Sequence, residues 1–137
     1  MEKDYSIYLI KQYKHWGVYI HEYQNYLGRC VIWCDREEAE HFTDATQDEL
    51  IELQQICTDL QNVMNSMFLP DWYNFAMLGN ETPHLHCHFI PRYSRIIEKF
   101  GYKFIDKQFG HNWKTDKSFV VKEETLQKIK KSIKQAL

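Results

Sequence analysis

The chain has 137 residues, 44 % of them apolar and 26 % charged, an ordinary globular composition that excludes wholesale disorder. Seventeen Lys and Arg against nineteen Asp and Glu leave a net charge of −2, so no basic field favours a nucleic-acid polymer or a membrane surface. No apolar run approaches the roughly 18 residues of a membrane span, and the charged start Met1-Glu2-Lys3-Asp4 leads into no signal-peptide core. The expectation is one domain over residues 1–137 in the cytoplasm, without membrane or nucleic-acid partners. Cys30, Cys34, Cys57 and Cys87 form no CxxC pair, which reads as reduced, mostly buried small apolar residues rather than a zinc knot.

The Tyr-rich start (Tyr5, Tyr8, Tyr13) suggests no mechanism. Trp16 to Tyr23 is rich in β-formers, Gln24 to Gly28 reads as a turn, and Arg29 to Cys34 carries a short apolar run. Together they predict a hairpin. The clearest helix starts at Thr46, where Thr46 and Glu49 fit a capping box. Leu50, Leu53, Cys57, Leu60, Met64 and Met67 then recur at alternating steps of three and four, an apolar stripe that predicts a core-facing side until Pro70 ends the helix.

Trp72 to Leu78 is a third strand candidate, followed by a tight connection over Gly79 to Pro83. His84 to Ile90 is the fourth strand, closed by Pro91. Arg92 to Lys117 is irregular, with one short strand at Tyr102 to Ile105, and Arg92 and Arg95 read as solvated. His111 and Trp113 lie in this segment, and Trp113 reads as packing. A last helix spans about Glu123 to Leu137, with the stripe Leu126, Ile129, Ile133 and Leu137 and lysines on its solvated side. The order of elements predicts an α+β fold with a mostly antiparallel sheet.

Three of the seven histidines stand at His84, His86 and His88, within His84-Leu85-His86-Cys87-His88-Phe89-Ile90. On a strand, alternate side chains share a face, so the three imidazoles oppose Leu85, Cys87 and Phe89. Three chemistries fit that face. A neutral imidazole is a nucleophile toward phosphorus, with its neighbours orienting it or serving a leaving group. Two or three histidines on one strand also suit zinc. The plainest alternative is a solvated sheet face. Gly79 and Asn80 just ahead, in a turn with free N–H groups, favour an anionic oxygen.

His84-Leu85-His86-Cys87-His88-Phe89-Ile90 resembles the signature of the histidine triad family. The longer stretch from Leu78 to Arg92 is similar to bacterial diadenosine-polyphosphate-hydrolase-like members, as are Leu27 to Cys30 and Phe109 to Trp113. The resemblance covers the chain from about residue 16 to the final helix. It implies a five-stranded antiparallel sheet with a long central helix and a C-terminal helix, paired into a ten-stranded sheet in a homodimer. It also implies hydrolysis or nucleotidyl transfer at the α-phosphate of a nucleotide, with no cofactor required for the chemistry. Carried over by position, His86 is the nucleophile, and the His84 carbonyl holds its tautomer. The side chains of His84 and His88 would meet phosphate oxygens or the leaving group. Asn80 would donate to the phosphate chain. His21 falls where many members place a ribose-binding Asn or Asp, and Arg29 where many place His; Arg29 could still reach a phosphate. The altered His21 position keeps a non-catalytic nucleotide-binding protein as an alternative, and the histidine spacing keeps a metal-dependent hydrolase built on the same histidines as a third reading.

Overall fold

The computed structural model describes residues 3–137. Strands β1 (Leu9–Gln12), β2 (Trp16–Ile20), β3 (Cys30–Cys34), β4 (Trp72–Ala76) and β5 (His86–Arg92) form one antiparallel sheet in the order β1-β2-β3-β5-β4. Period-two alternation sets its two faces. Trp16, Val18, Ile20, Cys30, Ile32, Cys34, Cys87 and Phe89 are buried in the core, while Val31, Trp33 and His88 on the opposite face stay half-buried. Of the four free cysteines, Cys57 alone is half-buried and the others are buried.

Helices α1 (Gln47–Met67) and α2 (Glu123–Ala136) complete the core. Thr46 Oγ1 accepts from the Glu49 amide at 3.1 Å and Glu49 Oε1 accepts from the Thr46 amide at 2.8 Å, closing the capping box. Glu49 is itself buried and takes Arg36 Nη2 at 3.0 Å, which holds its carboxyl well below the usual range, at about 2. Its carbonyl accepts from Trp16 Nε1 at 2.9 Å, so the cap also pins the helix start to β2. The core stripe of α1 is Leu53, Ile56, Leu60, Val63 and Met64. Burying each such side chain contributes roughly 1.5–3 kcal/mol. The stripe is rotated from the predicted one: Leu50, Cys57 and Met67 are only half-buried, and Ile56 and Val63 take their place. Sequence spacing defines an apolar side; the sheet beneath decides its centre. On α2, Leu126, Ile129 and Ile133 are buried as the periodicity predicts. Neither helix is long and apolar enough to cross a membrane.

The fifth strand is not the one expected. Tyr102–Phe104 (β7) pairs with Ile97–Lys99 (β6) in a separate two-stranded sheet, turning through Phe100 and Gly101 at φ 56° and 79°. The fifth place belongs to β1, whose four residues are too few and too polar to announce a strand. Strand ends also move: β2 stops at Ile20, β4 at Ala76, and β5 starts at His86 and runs through Pro91 to Arg92. The β3 register reaches only Phe89, so a residue without an N–H is tolerated at Pro91.

Candidate active site

The connection between β2 and β3 is built around a fully buried side chain, Gln24. Its Nε2 donates to the carbonyls of His21 at 2.8 Å and Arg29 at 2.9 Å, and its Oε1 accepts from the Gly28 amide at 2.8 Å. Gly28 has φ 91°, and a Cβ there would lie 2.6 Å from Met64 Sδ, so this turn requires glycine. The clamp sets His21 and Arg29 side by side at the open ends of β2 and β3, where the His21 amide donates to the Arg29 carbonyl at 3.0 Å.

The β3–β5 register places Val31 opposite His88 and Trp33 opposite His86. His84 lies just before β5 rather than on it, which corrects the expected strand His84 to Ile90. It is held instead by β3, through the Cys34 amide on the Leu85 carbonyl at 3.1 Å and its own Nε2 on the Cys34 carbonyl at 2.7 Å. Trp33 stacks on both imidazoles, with ring centroids 4.2 Å from His84 and 5.3 Å from His86. In the sequence Trp33 reads only as the end of an apolar strand run. Its parity with Arg29 and Val31 hinted at the histidine side of the sheet, but only the register brings it beside His86.

Hydrogen bonding settles where the ring protons sit, because a carbonyl only accepts and a guanidinium only donates. His86 Nδ1 lies 2.5 Å from the His84 carbonyl, so Nδ1 carries a proton, and in the neutral ring the Nε2 lone pair is free. Likewise, His84 carries its proton on Nε2, against Cys34. Arg29 Nη2 approaches His88 Nδ1 at 3.3 Å, so that nitrogen accepts and the His88 proton sits on Nε2. His86 and His88 meet edge to face with centroids 5.0 Å apart, and His21 lies 6.2 Å from His88. Burial first, then the Arg29 guanidinium, pushes His88 down to about 4 and His21 to about 3. Both rings are therefore neutral at physiological pH.

Of the residues singled out in the sequence, His84, His86, His88, His21 and Arg29 come together. Asn80 is exposed on the loop between β4 and β5, and its side chain hydrogen-bonds to none of them. Arg29 is only 3 % exposed and turns one guanidinium nitrogen to Thr115 Oγ1 at 2.7 Å and the other to His88. Arg92, expected in solvent, is buried in a bidentate pair with Asp106 at 2.7 and 3.1 Å. Trp113 is half-buried and, with His111, lines a cleft of about 590 Å³ beside Trp72, Asn74 and Arg92. Among the described residues no group of three His, Cys, Asp or Glu side chains is arranged to hold a metal ion.

Residues 30–95, which span β3 to the end of the histidine strand, match the family model for the HIT domain. Over that stretch the chain carries a histidine triad domain. No curated protein matches the chain. Solved structures that share the fold include a histidine triad protein from Sinorhizobium meliloti, with a TM-score of 0.77 and 15 % identity over 94 % of this chain and 88 % of that one. Another, from Bradyrhizobium japonicum, aligns with a TM-score of 0.72 and 17 % identity over 93 % and 87 %. The diadenosine triphosphate hydrolase of Plasmodium falciparum aligns with a TM-score of 0.66 and 15 % identity over 95 % and 76 %. At such identities the likeness shows the histidine triad fold.

Proposed function

We propose that this histidine triad protein is a nucleotide hydrolase or nucleotidyl transferase that cleaves at the α-phosphate through a covalent bond to His86. The observation that carries the reading is the tautomer of His86. Its Nδ1 proton is held by the His84 carbonyl, which leaves Nε2 as a neutral nucleophile. The Nε2 lone pair attacks the α-phosphorus, and the phosphorus–leaving-group bond breaks with its electron pair on the leaving group. A polyphosphate departs as an oxyanion and needs no proton, whereas the amine of a phosphoramidate takes one from solvent as it leaves. The Nε2–H of His88 donates a hydrogen bond to the oxygens that gain charge. Phosphorylated imidazole carries positive charge, which the His84 carbonyl and the stacked face of Trp33 stabilise. Water then attacks phosphorus, the P–N bond breaks with its electron pair returning to Nε2, and the water's proton passes to solvent as nucleoside monophosphate is released.

The Plasmodium relative, a diadenosine triphosphate hydrolase, supports dinucleoside polyphosphates as the substrate class, with nucleoside phosphoramidates as the other member. No metal or other cofactor enters these steps. His21 and Asn80 are assigned to the nucleotide, His21 toward the ribose and Asn80 toward the phosphate chain. The whole chain forms one domain and works as a homodimer in the cytoplasm. Strand β4 closes the sheet order with Trp72 68 % and Phe75 47 % exposed, leaving an edge at which a second copy would continue the sheet.

The test is release of AMP from diadenosine tetraphosphate and from adenosine phosphoramidate in excess chelator, for wild type and His86→Ala. Turnover that survives chelator and falls about a thousandfold or more in the variant supports the mechanism. Tight nucleotide binding without product would make the protein a binding module. Turnover abolished by chelator would assign the histidines to a metal.

A further inference from the structure

The sequence places Arg29 as a candidate for contacting the substrate's phosphate, and the structure turns it elsewhere. We infer that Arg29 is a positioning residue: it acts through His88, holding that ring as a neutral Nε2–H donor, and does not itself bind the phosphate. The inference rests on the nucleotidyl-transfer reading and deepens it.

Three observations carry it. First, Arg29 is 3 % exposed, and its two terminal nitrogens are engaged by Thr115 Oγ1 at 2.7 Å and His88 Nδ1 at 3.3 Å. Its Nε is buried without a partner, and at 3 % exposure the guanidinium N–H groups that Thr115 and His88 do not take are withdrawn from the surface, where an anion would be gripped. Second, the backbone on both sides of Arg29 is fixed. Its amide donates to the Tyr26 carbonyl at 3.0 Å, and its own carbonyl accepts from Gln24 Nε2 and the His21 amide. The guanidinium is therefore held in place before any ligand arrives, which is what orienting a neighbouring ring requires. Third, a guanidinium can only donate, so the nitrogen facing it must accept. A histidine at position 29 could adjust its own tautomer to suit either state of His88; arginine permits one.

The charge has a second consequence. The titratable and charged groups facing His88 are Arg29 at the start of β3, His86 on its own strand and His21 beyond β2. Lys3 stands behind His21 and is paired with Glu22 at 2.7 Å. None of them supplies a negative charge beside the His88 ring. Protonating His88 would place a new cation and a second N–H against Arg29, so the ring stays neutral in acid that would charge an exposed histidine.

The experiment compares Arg29→Met and Arg29→Lys with wild type in two independent readouts. Long-range ¹H–¹⁵N spectra of the ligand-free protein report the tautomer and titration of His88. Arg29→Met is expected to release the Nε2–H tautomer and to raise the proton affinity of His88 at least about tenfold, one pKa unit. Arg29→Lys, which keeps a donor and a charge, is expected to hold both near wild type. In steady-state turnover, Arg29→Met is expected to lower kcat about tenfold or more while KM stays within about threefold, the pattern of an interaction made in the transition state. Its kcat should also fall off at higher pH on the acid side. A tenfold rise in KM with kcat intact would instead make Arg29 a phosphate ligand and overturn the inference. So would an unchanged His88 spectrum in a folded Arg29→Met protein. If Arg29→Met does not fold, Arg29→Lys decides, because loss of the His88 tautomer there also overturns it. The spectra need no substrate, so a protein without turnover would refute the nucleotidyl-transfer reading and still leave the Arg29–His88 coupling measured.

Discussion

Asp106→Ala tests how the segment after the histidine strand is anchored. Asp106 is fully buried and Arg92 nearly so, with side-chain exposures of 0 % and 4 %. The carboxylate accepts from Arg92 Nε at 2.7 Å, Arg92 Nη2 at 3.1 Å, the Tyr93 amide at 3.2 Å and the Gln108 amide at 3.0 Å. Arg92 Nη1 is separately taken by Asn74 Oδ1 at 2.7 Å and the His111 carbonyl at 2.8 Å. Removing the carboxylate leaves a buried guanidinium without its counter-charge and two amides without an acceptor. Breaking one side of such a pair costs about 3–5 kcal/mol. With a slope of about 2 kcal/mol per molar urea, the unfolding midpoint should fall by roughly 2 M. Arg92→Met should cost a similar amount. The double variant Arg92→Met/Asp106→Ala should cost well under the sum, because no charge is then left buried. The assay is urea unfolding of all four proteins at one pH. A cost for Asp106→Ala below about 1 kcal/mol, or singles that simply add in the double, would refute the reasoning.

Acid should destabilise the protein well before its carboxylates titrate. His88 and His21 sit at about 4 and about 3 when folded, below the ordinary value near 6.5. The unfolded chain therefore binds more protons between those values, and stability falls as pH drops from 6.5 toward 4. At pH 5 each ring is expected to cost about 2 kcal/mol relative to pH 7.5, and unfolding curves of wild type and a His21→Gln/His88→Gln protein at the two pH values check it. Equal pH sensitivity in both would show that other groups are responsible. At the turn beneath the site, Gly28→Ala combines a positive φ with a Cβ 2.6 Å from Met64 Sδ. It should cost about 2–4 kcal/mol in denaturant unfolding. A change within about 0.5 kcal/mol would mean the turn does not depend on glycine.

Much of this architecture is local and therefore legible in the chain itself. The capping box at Thr46 and Glu49, the periodic stripe of α2 and the alternation around His86 and His88 are decided by residues a few positions apart. Backbone geometry converts such spacings directly into faces. The histidine strand thus carries its family resemblance in the sequence. Partnership across the fold was not legible. Nothing near β1 marks it as the fifth strand, and nothing near Tyr102 says that its partner is Ile97–Lys99 rather than the main sheet. Arg92 reads as solvated until Asp106, fourteen positions later, is brought onto it. Nothing near Arg29 in the sequence points to Thr115 or to His88, the partners that close around it in the fold. Trp33 becomes part of the site only through the register that sets it opposite His86. A charged or aromatic side chain takes its role from the partner that neutralises or stacks on it. When that partner is tens of residues away, only the folded chain selects it.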